Sequence, residues 1–165
     1  MSGVFDLAII GGGINGAGIA RDAAGLGLKV LLVEKDDLAA HTSSSSSKLI
    51  HGGLRYLEQY EFRLVREALE EREVLLEIAA HLVSALRFVM PHVAELRPRW
   101  MMRTGLFLYD HLARRTTLPG SQAVSLLSPP YDAGLKSSLR YGFSYSDCRV
   151  DDARLVIANA LDARR

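Results

Sequence analysis

Residues 4–16 constrain this chain more than any other stretch. Val4-Phe5-Asp6-Leu7-Ala8-Ile9-Ile10 is mostly apolar and β-branched, and it runs directly into Gly11-Gly12-Gly13-Ile14-Asn15-Gly16. A short apolar run of this kind reads as a strand buried on both faces, as in a parallel sheet. From Ile14 to Leu26 small and apolar residues dominate (Ala17, Ile19, Ala20, Ala23, Ala24), which suits a helix packed closely on that sheet. Gly25 and Gly27 supply its stop. Lys29-Val30-Leu31-Leu32-Val33-Glu34 is a second buried strand. Strand, glycine turn, helix and strand in this order make a βαβ unit with a right-handed crossover. The expected fold class is α/β, a Rossmann-like core with added helices.

The turn contains G-x-G-x-x-G at Gly11, Gly13 and Gly16. Gly11 allows the tight exit from the strand, Gly13 lets backbone approach a pyrophosphate, and Gly16 lets helix and strand pack closely. A diphosphate would sit on the helix N-terminus, where free N–H groups and the positive dipole end favour anions. The first helical residues, Ile14 and Asn15, therefore join the three glycines as candidate cofactor-binding residues. Glu34 ends the second strand at the distance where a carboxylate accepts hydrogen bonds from ribose hydroxyls, and it repels the 2′-phosphate of NADP. The motif alone leaves FAD and NAD open, since both carry an adenosine diphosphate; its place at the start of the chain favours FAD.

Composition excludes several other classes. The 165 residues approximate one domain, and 48% hydrophobic with 24% charged residues fits a soluble globular chain. With 20 Lys+Arg against 19 Asp+Glu, the net charge of +1 gives no global field for nucleic acid. No apolar run reaches the about 18 residues of a transmembrane helix. The Met1-Ser2-Gly3 leader is too short for a signal peptide, because strand-like sequence begins at Val4. The single cysteine, Cys148, excludes an internal disulfide framework, suits a reducing compartment, and reads as a buried or spectator thiol. His41, His81, His92 and His111 lack metal-ligand spacing, so no metal site is expected.

Further along, residues 36–56 read as irregular, with the serine run Ser43 to Ser47 in an ordered loop that leads into Lys48-Leu49-Ile50-His51-Gly52-Gly53. A helix is expected over 57–82, with Leu57, Tyr60, Leu64, Ala68, Leu75 and Ala79 on its apolar face. Its Glu-rich face is solvated, with Arg63/Glu67 and Arg66/Glu70 as i,i+4 pairs. Residues 86–90 read as a strand and 100–112 as a short apolar helix. Between Arg97 and Arg115 basic residues flank Trp100, Met101, Met102, Leu106, Phe107, Leu108 and Tyr109, a mixture read as a core helix with basic ends. An interfacial helix on anionic lipid is its alternative. Residues 151–165 are expected to be helical, with Asp151 or Asp152 as N-cap.

At Thr42-Ser43-Ser44-Ser45-Ser46-Ser47-Lys48-Leu49-Ile50-His51-Gly52-Gly53-Leu54-Arg55-Tyr56-Leu57-Glu58 the chain closely resembles the bacterial FAD-dependent (aerobic) sn-glycerol-3-phosphate dehydrogenases, members of the D-amino-acid-oxidase-like flavoprotein group. The likeness continues through Tyr60 to Val65, Glu70 to Leu76, Gly105 to Leu112, Leu118-Pro119-Gly120 and Tyr145 to Leu155. The unbroken serine run departs slightly from the family pattern, and residues 121–140 resemble it least. The resemblance implies an FAD-binding α/β portion and oxidation of sn-glycerol 3-phosphate to dihydroxyacetone phosphate. Hydride would pass from C2 to flavin N5 and electrons onward to a membrane quinone. It also implies a cytoplasmic protein, peripheral on the inner-membrane surface, with a homo-oligomer possible.

The resemblance turns residues 43–53 into a flavin-facing loop. Thr42, Ser43, Ser46, Ser47, Lys48, Leu49, His51 and Gly52 thereby become cofactor-binding candidates, with Gly52 and Gly53 admitting backbone close to the isoalloxazine. Arg55 becomes the candidate contact for a substrate phosphate, which a guanidinium matches bidentately, and Tyr56 assists it. The family places its remaining phosphate contacts and its proton acceptor later, so no catalytic residue is assigned here. The first βαβ unit is present, whereas the later strands of an FAD sheet and a substrate-domain sheet have no counterpart in the pattern. The 165 residues are thus expected to be the N-terminal FAD-binding portion, residues 1–165, of a larger enzyme, inactive alone. The alternatives are another flavin oxidase of the group, acting on an amine or amino acid, and a non-catalytic dinucleotide-binding module.

Overall fold

Leu7–Ile10 (β1) and Val30–Val33 (β2) pair in parallel, with Leu7 opposite Val30 and Ile10 opposite Val33, and Ile14–Gly25 (α1) makes the crossover. The structure is a computed structural model that describes residues 3–93, 95, 97–114 and 117–165. Met1 and Ser2 of the short leader and Arg115 of the basic segment lie outside the described residues. The chain divides into two compact units, one built from residues up to Leu49 with Val150–Arg165, the other from Ile50–Arg149.

In the first unit α1 packs along the final helix, Asp152–Ala163 (called α4 below), about a core of Ala17, Ala39 and Val156. Alanines on α1 permit this close approach because they add almost no side-chain bulk. Asp151 is the N-cap of α4 and accepts from the Arg154 N–H at 3.1 Å. An Arg21–Asp162 ion pair at 2.7 Å ties the two helices on the outside. Burial of both faces of β1 and β2 is corrected here. Ile9 is buried against α1, but Ile10 is 91% exposed, and Leu31 and Val33 are exposed too. Hydropathy marks a side chain as apolar and says nothing about which second layer covers it.

In the second unit the expected helix over 57–82 is divided. Leu54–Gln59 is a 3-10 turn, Tyr60 adopts a left-handed backbone (φ +61°), and Phe62–Ile78 (α2) follows. Helical hydrogen bonding cannot run through a residue in that region, which is why the periodic pattern splits. The Arg63–Glu67 and Arg66–Glu70 pairs form on α2 at 2.7 and 2.8 Å. The strand expected at 86–90 is longer, Val83–Pro91 (β4), and takes residues that the pattern placed beside the helix. The helix expected at 100–112 is Arg99–His111 (α3), with Leu106 and Tyr109 buried and Trp100 and Phe107 exposed.

The pattern offers no counterpart for the rest of the sheet. Leu49–Ile50 (β3), Gln122–Ser125 (β5) and Tyr141–Val150 (β6) complete a four-stranded sheet of order β3-β6-β4, with β5 antiparallel to β6. β6 is buried along most of its length although it carries Ser144, Ser146 and Asp147, whose polarity hides the strand from a hydropathy reading. Cys148 is free and fully buried on the same strand, and burial pushes its thiol up to about 11. Among the described residues no helix is long and apolar enough to cross a membrane.

Candidate functional site

In the first unit the glycine turn is sterically specified. Gly11 has φ +111°, a conformation that L side chains rarely adopt. A Cβ on Gly16 would lie 1.9 Å from the Gly11 carbonyl oxygen and 3.3 Å from Ile9, so only hydrogen fits between α1 and β1. Gly12 carries a requirement that the spacing argument misses: a Cβ there would lie 2.6 Å from Leu38 and 3.0 Å from Glu34. Gly13 is the N-cap of α1 without a side-chain cap, and the first turn of the helix holds no acidic residue. Ile14 and Asn15 are exposed beside it.

Glu34 stands at this turn. One carboxylate oxygen accepts from the Gly12 N–H at 2.6 Å, and the other from the Lys35 and Asp36 N–H groups at 2.7 and 3.1 Å. The bond from Gly12, more than any other, holds this carboxyl below the usual range. Ser43 reaches the same place from the serine loop, its hydroxyl accepting the Ile14 N–H at 2.9 Å. The structure thus brings Gly11, Gly13, Ile14, Gly16, Glu34 and Ser43 together. A helix N-terminus without an acid, a carboxylate at the end of β2 and a cradle that admits no Cβ make a set that fits an adenine dinucleotide.

The loop that follows is held by a residue the sequence reading gave only a capping role. Asp152, at the start of α4, accepts from the Ser46 hydroxyl at 2.6 Å and from Lys48 Nζ at 2.6 and 2.8 Å. Lys48 Nζ also donates to the Ser44 carbonyl, and Lys48 has φ +60°. The Lys48 and Ser46 bonds hold the Asp152 carboxyl far below the usual carboxylate range. Thr42 opens a 3-10 turn, Thr42–Ser44; Thr42 and Ser47 are exposed, and Leu49 enters β3.

In the second unit the His51-Gly52-Gly53 turn rests on a buried polar chain. The Gly52 N–H donates to the Tyr109 hydroxyl at 2.8 Å, which donates to Asp147 at 2.8 Å. Asp147 accepts from Arg72 at 2.6 Å, and Arg72 also donates to the Ser146 carbonyl and Glu73. Burial pushes the Asp147 carboxyl up, while the Tyr109 hydroxyl and the Arg72 guanidinium pull it back. Burial opposes the charge of Arg72, and Asp147 more than restores it. Burial and then the Asp147 charge raise the Tyr109 phenol far above its usual value.

Gly52 is sterically required by the chain itself, because a Cβ would lie 2.6 Å from Leu69 and 2.9 Å from the Tyr109 ring. The Gly53 N–H donates to His51 Nδ1 at 2.9 Å, so a neutral His51 ring carries its proton on Nε2. Arg55 and Tyr56 follow in the exposed part of the 3-10 turn. Tyr109, Asp147 and Arg72 escaped the sequence reading, because a tyrosine in an apolar helix and an aspartate in an unrecognised strand give no motif. Elsewhere in this unit the basic segment finds partners: Arg97 pairs with Glu58 at 2.8 Å, Arg99 lies 4.2 Å over the Tyr141 ring, and Arg103 donates to Ser121.

Residues 6–165 match the family described as DAO, FAD dependent oxidoreductase. The chain is 66% identical over 161 residues to a protein of Pseudomonas tolaasii named glycerol-3-phosphate dehydrogenase, which covers 98% of this chain and 31% of that protein. It is 63% identical over 158 residues to D-erythritol 1-phosphate dehydrogenase of Brucella abortus, covering 96% of this chain and 32% of the relative. Among solved structures it resembles the glycerol-3-phosphate dehydrogenase from Bacillus halodurans complexed with FAD. That likeness has 29% identity and a TM-score of 0.64 over 99% of this chain and 25% of that one. The chain thus spans about a third of the length of the curated relatives it matches.

Proposed function

This chain belongs to the FAD-dependent oxidoreductase (DAO) family, and on that premise we propose that it is the FAD-holding portion of an sn-glycerol-3-phosphate dehydrogenase. The observation that carries this reading is the 66% identity, across nearly the whole chain, to a glycerol-3-phosphate dehydrogenase. When bound, FAD would supply an acceptor for the hydride on C2 of the alcohol; with the C2 hydroxyl proton released to a base, the product would be dihydroxyacetone phosphate.

The chain's own residues bind and orient. Gly11, Gly13, Ile14, Asn15 and Gly16 receive the diphosphate at the start of α1, and Glu34 takes the adenosine ribose. Thr42, Ser43, Ser46, Ser47, Lys48 and Leu49 form the cofactor-side loop, which Asp152 holds in shape. His51 and Gly52 are assigned to the isoalloxazine end. Arg55, which makes no ion pair among the described residues, is assigned to the substrate phosphate, with Tyr56 beside it. A membrane quinone is the proposed onward acceptor, met by a cytoplasmic protein peripheral on the inner-membrane surface. A homo-oligomer belongs to the same proposal.

The 63% identity to a D-erythritol 1-phosphate dehydrogenase supports a second reading with the same chemistry on a longer polyol phosphate. Anaerobic addition of substrate to the full-length, FAD-loaded protein separates the possibilities. Bleaching of the flavin absorbance by sn-glycerol 3-phosphate, with amino acids inert, is expected. Bleaching by D-erythritol 1-phosphate alone favours the second reading, and bleaching by amino acids alone overturns both.

A further inference from the structure

We propose that Tyr109 is a positioning residue: held by the buried Asp147–Arg72 pair, it fixes the backbone of the His51-Gly52-Gly53 turn and, through it, the orientation of the His51 ring. The proposal rests on the reading that this turn serves the flavin and substrate end of the site. Three observations, all within one compact unit, carry it.

The first is directionality. Asp147 accepts from both Arg72 and Tyr109, and an ionised carboxylate can only accept. The Tyr109 proton is therefore committed to Asp147, and the phenol oxygen turns its lone pair to the Gly52 N–H. Arg72, Asp147, Tyr109 and Gly52 form one polarised chain with a single sense, so the peptide joining His51 and Gly52 cannot flip without stranding a buried donor.

The second is contact. The Tyr109 ring lies where a Cβ on Gly52 would stand at 2.9 Å, with Leu69 at 2.6 Å on the same spot. The turn is thus seated against the ring as well as bonded to its hydroxyl. The third is continuity. The Gly53 N–H donates to His51 Nδ1, so the imidazole is oriented by the peptide next to the one that Tyr109 holds, leaving Nε2 as the nitrogen that carries the proton of a neutral ring.

Burying an arginine and an aspartate is an expensive way to pack an interior, since apolar residues of like volume pack it as well or better. Arg72 is 4% exposed and Asp147 is 3% exposed. What an apolar replacement cannot supply is an acceptor for the Gly52 N–H that points one way only.

The test uses the full-length, FAD-loaded protein and the Tyr109→Phe variant, which removes one oxygen and keeps the ring. Hydrogen–deuterium exchange read by mass spectrometry is expected to show the peptide spanning 50–56 exchanging about tenfold faster, with the β1–α1 peptide unchanged; tenfold is the equivalent of one lost hydrogen bond. With sn-glycerol 3-phosphate, kcat is expected to fall about tenfold while KM moves less than twofold. In a His51→Ala background, Tyr109→Phe is expected to cause no additional loss.

Unchanged exchange at 50–56, or equal kcat losses in both backgrounds, overturns the proposal. If the unsubstituted protein does not oxidise sn-glycerol 3-phosphate, the functional reading has failed, and the exchange measurement still decides the role of Tyr109. If Tyr109→Phe does not fold, amide exchange in the unsubstituted protein decides: the Gly52 N–H is expected to be strongly protected although the His51 beside it is exposed, and rapid exchange there overturns the proposal.

Discussion

The Tyr109 hydroxyl lies 2.8 Å from the Gly52 nitrogen, although 57 positions separate the two residues in the chain. A phenol from the last turn of α3 thus satisfies the backbone of a glycine turn. The same hydroxyl is bonded to Asp147, itself paired with Arg72 at 2.6 Å. The turn is therefore tied, through one phenol oxygen, to the buried ion pair beneath it.

Breaking that ion pair from one side leaves a charge buried alone. Arg72→Met is expected to cost about 3–5 kcal/mol of stability, whereas the double change Arg72→Met/Asp147→Leu costs markedly less, because the buried Asp147 carboxylate is no longer left without its guanidinium. Urea unfolding of the full-length protein measures both. A double variant as unstable as the single one contradicts this account.

Gly16→Ala tests the steric account of the glycine turn. The new methyl would meet the Gly11 carbonyl oxygen at 1.9 Å, a distance that only displacement of α1 can relieve. FAD affinity is expected to fall by about 100-fold, the equivalent of roughly 3 kcal/mol of overpacking. The flavin-to-protein ratio after gel filtration reads it, and full FAD retention refutes the geometry.

Glu34→Gln probes the acidic end of β2. Three backbone N–H groups now donate to the carboxylate. An amide places an NH2 against at least one of them. Flavin-fluorescence titration of the variant is expected to show about tenfold weaker binding, in keeping with a lost charge-assisted bond. Equal affinity would remove Glu34 from the site.

The Lys48–Asp152 contact predicts a pH dependence of definite sign. The folded-state carboxyl of Asp152 titrates below its ordinary 3.8, so its contribution is complete above that value and is lost as the pH falls through the lowered one. Asp152→Asn should thus destabilise the serine loop at neutral pH, with the gap to the unsubstituted protein closing below pH 3.8. Limited proteolysis in the loop at neutral pH, and thermal unfolding followed across the acid range, check the two halves. A gap that widens toward acid has the wrong sign.

Cys148 is fully buried, with its thiol raised to about 11. Aromatic disulfide reagents are expected to modify it at the rate of unfolding in native protein and within seconds in urea. Fast labelling of the native protein would contradict its placement on β6.

The glycine turn was legible because its constraints are local. Gly16 meets the carbonyl of Gly11 five positions away, and Gly11 needs its own positive φ, so steric arguments about adjacent residues suffice. Helix α1 follows from its small and apolar residues and glycine stop, α3 from its apolar run, and α4 from its aspartate N-cap, all of them local signals. The strand β6 escaped because Ser144, Ser146 and Asp147 are buried by partners that hydropathy does not see, and the run after Leu57 split because Tyr60 turns left-handed.

The candidate site divides along the same line. Its glycine turn is written in consecutive residues, whereas the supports of its loops are not. Asp152 reaches Lys48 across 104 positions, and Tyr109 reaches Gly52 across 57. A hydrogen bond depends on where the folded backbone brings a donor and an acceptor together within about 3 Å. Spacing along the chain carries no such distance, so these supports exist only once the helices have packed.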